Sequence, residues 1–318
     1  MSDIEDLVES ARNGSRPALA RLLSLAERGG APVFELEDCL QPLVGNAWTV
    51  GITGPPGAGK STLINALLPV AREAVAKAAV LAVDPSSPFS NGAILGDRVR
   101  MSGGDLGESV FIRSMASRGD VGGLARAAST CIRVFDAARW PVVLVETLGI
   151  GQVELDIMDL ADTVIVVLNP GWGDTFQANK AGLTEAGDIF VINKADRPGT
   201  EQTKKDLQNS LALLAKNPQP PILETVATEP SGLNQLWEAI NQHRDLLEAG
   251  GRLGAIRQSR RSRIIRKTIK EQANTALDSI LKSEEAAGLI GQLTLGQLDM
   301  DATVQKILGM LAKADSSH

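Results

Sequence analysis

"TVGITGPPGAGKSTLINALL", residues 49–68, carries three signals in a row. Thr49–Thr53 is a short run of strand character. Gly54-Pro55-Pro56-Gly57-Ala58-Gly59-Lys60-Ser61 fits the G-x-x-x-x-G-K-[ST] phosphate loop, and Leu63–Leu68 begins a helical pattern. Strand, glycine-rich turn and helix are the context the motif requires. The glycines let backbone N–H groups converge on an anion, and the helix N-terminus adds partial positive charge. Lys60 is placed to reach the β- and γ-phosphates and Ser61 to offer its hydroxyl to Mg²⁺, with Gly54, Gly57, Ala58, Gly59 and Thr62 completing the cradle. Pro69 lacks a backbone donor and should kink or end the helix that follows.

Outward from this stretch, short apolar runs recur with helical patterns between most of them. They are Val80–Val83, Val110–Ile112, Val142–Val145, Val164–Leu168, Ile189–Ile192 and Ile222–Val226. Runs of this length, separated by helices, read as parallel strands buried on both faces. The expected class is α/β, a doubly wound, mostly parallel sheet. Leu7, Ala11, Ala18, Leu19, Leu22, Leu23 and Ala26 show helical spacing before Gly29 and Gly30, so residues 1–45 read as a helical N-terminal extension. Residues 46–249 read as the nucleotide domain. After Gly250 and Gly251, residues 250–318 read as a helical arm, too short to hold a core of its own and suited to dimerisation.

Composition narrows the function. The chain has 318 residues, a net charge of -6, and aromatics at only 3% with no tyrosine. An acidic surface argues against general nucleic-acid binding, and stacking platforms for single strands would need aromatics that are scarce here. Cys39 and Cys131 are two separated thiols, which fits a reducing cytoplasm. No apolar run approaches the ~20 residues of a membrane span, and "MSDIEDLVES" has no features of a targeting peptide.

The base site is read from "FVINKADRPG", where Asn193-Lys194-Ala195-Asp196 follows an apolar run. A carboxylate at Asp196 accepts from guanine N1–H and the 2-amino group, and adenine offers neither donor. The lysine stem can cover the ring while its amine stays wet. Val226-Ala227 stands where a backbone N–H to guanine O6 is expected, with Ala227 as the donor.

Carboxylates sit near two further strand ends, where ligands of such sheets collect. Asp84 and Glu146 close apolar runs, and Asp97 lies in the loop after Asp84. Asp84 and Glu146 could serve Mg²⁺, which takes oxygen ligands and keeps several waters, while Asp84 could instead cap a turn and Asp97 pair with Arg98 or Arg100. In "LVETLGIGQVE" the residue after Gly149 is Ile150, where many small GTPases carry a water-orienting Gln. This predicts slow hydrolysis until a partner or second subunit completes the site. Lys60, Asp84 and Glu146 are the catalytic candidates; Arg113 and Arg118 are candidates for contacting phosphate.

Together "GITGPPGAGKST", "VLAVDPSS", "GAILGDRVRM", "VFIRSMASRG", "VETLGIGQVE", "NPGWGDTFQANKAG" and "VINKAD" resemble the MeaB/ArgK (MMAA-like) family over roughly residues 5–255. These are G-protein chaperones of adenosylcobalamin-dependent acyl-CoA mutases. The resemblance implies a P-loop GTPase of the SRP/MinD-like class working as a homodimer. It places Asp84, Asp97, Glu146 and Ser61 around Mg²⁺, and GTP as substrate. It implies that the chain gates cobalamin loading and protects or rescues a mutase, with a cobalamin adenosyltransferase as a further partner. It makes "NPGWGDTFQANKAG" a third switch loop facing the mutase, with Asp174, Gln177 and Lys180 as its polar positions and Lys180 as a fourth catalytic candidate. Trp172, Thr175, Phe176 and Gly187 depart from the family pattern on what reads as the partner-facing segment. The partner is therefore methylmalonyl-CoA mutase or an isobutyryl- or 2-hydroxyisobutyryl-CoA mutase.

Two rivals stand beside this. A metallochaperone GTPase needs soft or imidazole ligands, and Cys39, Cys131, His243 and His318 form no spaced cluster. A GTP-switched binding module could use the basic run Arg252–Lys270. The favoured alternative for that run is a solvated helix face beside a dimer contact, with Leu253, Ile256, Ile264, Ile265 and Ile269 buried.

Overall fold

The computed structural model describes residues 3–84, 107–116, 121–147, 157–171, 184–185, 187–214 and 218–314. The chain divides into two compact units, 1–261 and 262–318.

Seven parallel strands build the first unit: β1 (Trp48–Thr53), β2 (Ala78–Asp84), β3 (Val110–Ala116), β4 (Val142–Thr147), β5 (Thr163–Leu168), β6 (Ile189–Asn193) and β7 (Ile222–Thr225). Their order is β3-β2-β4-β1-β5-β6-β7. All seven fall on the apolar runs of the sequence, and the sheet is doubly wound as expected. Successive side chains go to opposite faces. Val143 and Val145 of β4 join one core, while Val142 and Leu144 join the other.

The first core is closed by α1 (Asp3–Arg12), α2 (Arg16–Arg28), α3 (Pro32–Leu40) and α5 (Val121–Ala137), which pack over β2, β3 and β4. Phe111, Phe135 and Trp140 meet edge to face within it. The other face is covered by α4 (Lys60–Val75) and α7 (Leu233–Ala249). A smaller cluster seats α6 (Thr200–Ala212) on β5 and β6 through Leu207 and Leu211. Helix α4 does not end at Pro69; it runs on to Val75. Leu67, Leu68 and Ala71 are buried on both sides of the proline, so tertiary packing holds the helix through the lost bond.

Under the amino ends of the strands lies a polar junction. Asp162 accepts from Thr49 N–H at 3.1 Å and from both Arg257 and Arg260. These arginines belong to the first turns of α8 (Leu253–Leu281). Asp136 at the end of α5 accepts three backbone N–H groups, those of Gly45, Asn46 and Ala47. Arg257 and Arg260 therefore pair within the chain rather than forming a free basic face.

In the second unit, α9 (Glu284–Thr294) packs against α10 (Met300–Ala314), with Ala286 and Thr303 buried. Ile265 and Ile269 of α8, expected to be buried at a dimer contact, are 59% and 61% exposed in the single chain. Helical spacing places them on one face but does not supply what covers it. No helix among the described residues is long and apolar enough to cross a membrane.

Candidate nucleotide site

The carboxyl ends of β1, β4 and β6 meet at the phosphate loop. Gly54 has φ +137°, and a methyl there would collide with the Val167 carbonyl of β5. The loop therefore leaves β1 in contact with its neighbour, and only glycine permits it. Gly59 has φ +92° and sits where a side chain would strike the Asn193 amide. The motif's first and third glycines are thus fixed by backbone shape and by close approach of the base-site segment. Thr62 lies in the first turn of α4, and Ala58 is fully buried.

Lys60 is buried, and its Nζ donates to the carbonyls of Gly54 at 2.6 Å and Pro55 at 3.2 Å. The amine is held inside the loop it serves. Ser61 Oγ donates to Glu146 Oε1 at 2.5 Å, and Glu146 has no exposed surface. Glu146 stands on β4, paired through Ile52 with β1. Two of the four oxygen residues expected around Mg²⁺ are therefore in direct contact. An uncharged hydroxyl and a carboxylate side by side are the donor chemistry Mg²⁺ takes. Asp84 ends β2, beside β4, where Val83 pairs with Thr147. Its side chain, and Asp97, Asp174, Gln177, Lys180, Trp172, Thr175, Phe176 and Arg118, lie outside the described residues.

Asn193, Lys194 and Ala227 converge on the same loop from β6 and β7. Asn193 Nδ2 donates to Ala58 O at 3.0 Å, while its Oδ1 accepts from Thr225 Oγ1 and from Ala227 N–H at 3.3 Å. One side chain thus ties the phosphate loop to both halves of the base site. Lys194 takes a left-handed backbone, φ +59°, and its Nζ donates to Gly57 O at 2.7 Å. Asp196 is exposed.

Two expectations need correction. Arg113 does not face the phosphates. It lies mid-strand in β3, and its guanidinium pairs with Glu27 and bonds Ser24 of α2. The pairing joins α2 to the sheet edge, so Arg113 is structural. Gly187 is not a partner-facing residue either. It is buried at the amino end of β6, where an added Cβ would lie 2.5 Å from Phe190 Cζ and 2.9 Å from Val166 Cγ2. Its smallness makes room for a core aromatic ring. One residue went unnoticed in the sequence. Asn169, just past β5, has a buried Oδ1 without a hydrogen-bond partner among the described residues. It belongs to no motif. Its place at a strand's carboxyl end was the available signal.

The comparisons with known proteins agree with this geometry. Residues 19–281 match the family model described as methylmalonyl-CoA mutase-associated GTPase MeaB. A Pyrococcus abyssi protein named as a GTPase is 46% identical over 291 residues, spanning 90% of this chain and 87% of its own. The GTPase ArgK of Escherichia coli is 36% identical over 282 residues, spanning 85% of this chain and 84% of its own. Among solved structures, the LAO/AO transport system kinase superposes with a TM-score of 0.74 at 27% identity, covering 98% of this chain and 99% of that one.

Proposed function

The chain belongs to the methylmalonyl-CoA mutase-associated GTPase (MeaB) family, and from that we propose that it is the GTP-hydrolysing chaperone of an adenosylcobalamin-dependent acyl-CoA mutase. The observation that carries the reading is the convergence of Lys60, Ser61, Glu146, Asn193 and Lys194 on one phosphate loop. In this reading GTP binding and hydrolysis gate cobalamin loading and protect or reactivate the mutase in the cytoplasm. The partner is methylmalonyl-CoA mutase or a relative acting on isobutyryl- or 2-hydroxyisobutyryl-CoA, and a cobalamin adenosyltransferase hands over the cofactor.

Each residue has a task. Lys60 exchanges its loop carbonyls for β- and γ-phosphate oxygens, and Gly54, Gly57, Ala58, Gly59 and Thr62 supply the surrounding backbone. Ser61, Glu146, Asp84 and Asp97 would hold Mg²⁺, which supplies charge neutralisation on the leaving phosphate. Asp196 selects guanine, and Ala227 N–H is available to guanine O6 once Asn193 Oδ1 yields it. Asp174, Gln177 and Lys180 carry the nucleotide state to the mutase, with Lys180 completing the catalytic set. Ile150 leaves no side chain to orient water there, so turnover by the chain alone is slow. The exposed Ile265, Ile269, Leu295, Met300, Val304 and Leu308 of the 262–318 unit support a homodimer formed through that arm.

The test is transfer of adenosylcobalamin into apo-mutase, followed by its absorbance, in the presence of the chain with GTP or GDP. The reading requires that the nucleotide change the rate or extent of loading for one of these mutases. Identical loading with GTP, GDP and no chain, for every mutase, would refute it.

A further inference from the structure

Asn169 stands at the exit of β5, between the strand bearing the phosphate loop and the strand bearing the base site. In the β5–β6 ladder Leu168 pairs with Ile192, so the next level holds Asn169 beside Asn193, with Lys194 one step beyond. The exit of β5 also touches the base-site loop. A Cβ on Gly199 would lie 3.7 Å from Gly171 N and 3.8 Å from Pro170 Cβ. The Asn169 amide group uses its nitrogen locally, donating to Pro170 O at 3.3 Å. Its Oδ1 is buried and accepts nothing among the described residues. A buried acceptor left unpaired costs stability, so such an atom marks a place where a donor arrives.

The donors on the phosphate loop and at the end of β6 can be sorted. Pro55 and Pro56 of the loop have no N–H. Asn193 Nδ2 already serves the carbonyls of Ala58 and Gly59. Phosphate oxygens are acceptors and cannot satisfy another acceptor. Lys194 carries three protons on its ammonium, and Gly57 O takes one of them. Its backbone is left-handed, φ +59°, and its amine lies over the phosphate loop at Gly57 O.

We propose that Asn169 is a positioning residue for guanine binding, its Oδ1 accepting a second proton of the Lys194 ammonium and so fixing the lysine stem along the base. The lysine is then held at two points, Gly57 O on the phosphate loop and Asn169 Oδ1 on β5. Two fixed points define the direction of the stem, where one leaves it free to swing. This rests on the reading of Asn193–Asp196 as the base site.

The experiment is a double-mutant cycle in affinity for a fluorescent GDP, with Asn169→Ala, Asn169→Asp, Lys194→Met and the Asn169→Ala/Lys194→Met double variant. Asn169→Ala weakens GDP about tenfold, the usual worth of a hydrogen bond to a charged group. Asn169→Asp, which keeps an acceptor in place, stays near wild type. In the Lys194→Met background Asn169→Ala has no further effect. Wild-type affinity in Asn169→Ala, equal losses in Asn169→Ala and Asn169→Asp, or losses that multiply in the double variant would each overturn the proposal. If Asn169→Ala does not fold, Asn169→Ser, too short to reach the lysine, must show the same loss. A wild-type chain that binds no guanine nucleotide would instead defeat the base-site reading itself, and this proposal with it.

Discussion

Arg257 grips Asp162 with two hydrogen bonds, Nε to Oδ1 at 3.0 Å and Nη2 to Oδ2 at 2.7 Å. Arg260 adds a third to the same carboxylate at 3.1 Å. Asp162 is buried beneath the amino end of β5, and Arg257 also caps the carbonyls of Gly45 and Ala47. Burial alone would lower the Arg257 pKa, but the Asp162 carboxylate more than offsets this and raises it. One carboxylate thus fixes the start of α8, the entry to β1 and the entry to β5. Removing it leaves two guanidiniums facing a protein interior. Asp162→Ala should cost about 3 kcal/mol in urea unfolding, while Asp136→Ala, which loses backbone bonds but strands no charge, should cost about half that.

Ser61 and Glu146 give a prediction at the other end of the sheet. Glu146→Gln preserves shape and burial but removes the charge, so GTP turnover in Mg²⁺ should fall about a hundredfold. GDP affinity measured in EDTA should change little. Loss of both together would mean that Glu146 holds the loop rather than serving a metal.

Asn193 makes bonds to the loop and to β7 at once. Asn193→Ala should therefore lower both guanine-nucleotide affinity and stability, the latter by roughly 1–3 kcal/mol. Thr225→Val, which removes only one of these bonds, should show a much smaller effect in both assays.

Gly187 separates packing from partner recognition. Gly187→Ala forces a methyl against Phe190 and should destabilise by about 1–3 kcal/mol, lowering the thermal midpoint. GTP turnover per folded molecule should stay unchanged. A stability-neutral variant with altered turnover would return Gly187 to the partner-facing segment.

His243 supplies the pH dependence. Burial lowers its pKa below the ordinary imidazole range, against the pull of Asp188, and Arg260 and Arg252 lower it further while Asp162 raises it. Its Nδ1 lies 2.9 Å from Thr163 Oγ1, which accepts from Trp48 Nε1. The unfolded chain then binds the proton more tightly than the folded one, so stability rises with pH across this window. Stability should fall as pH drops below about 6.5, the unfolded imidazole value. His243→Gln should flatten that slope in denaturant titrations at pH 5.5 and 7.5.

Much of this architecture could be read from the chain itself, because local pattern dictates it. The seven strands announce themselves as short apolar runs, and the phosphate loop as glycines whose positive φ other residues rarely take. Asp162, Arg257 and Arg260 could not be read that way, since their pairing joins positions 95 and 98 apart with no periodicity between them. Arg113 looked like a phosphate ligand because sequence shows its charge and not Glu27 across the interface. Ile265 and Ile269 were expected to be buried at a dimer contact; helical spacing says which residues share a face but not what covers it. Asn169 stayed hidden because an unsatisfied acceptor is visible only once its neighbours are in place.

GTP turnover measured with the purified chain alone and with each acyl-CoA mutase in turn is the most direct test. Turnover should be slow alone, stimulated by one mutase and not the others, and without comparable activity on ATP. Turnover at tens per second by the dilute chain alone, preference for ATP, or indifference to every mutase would contradict the chaperone reading.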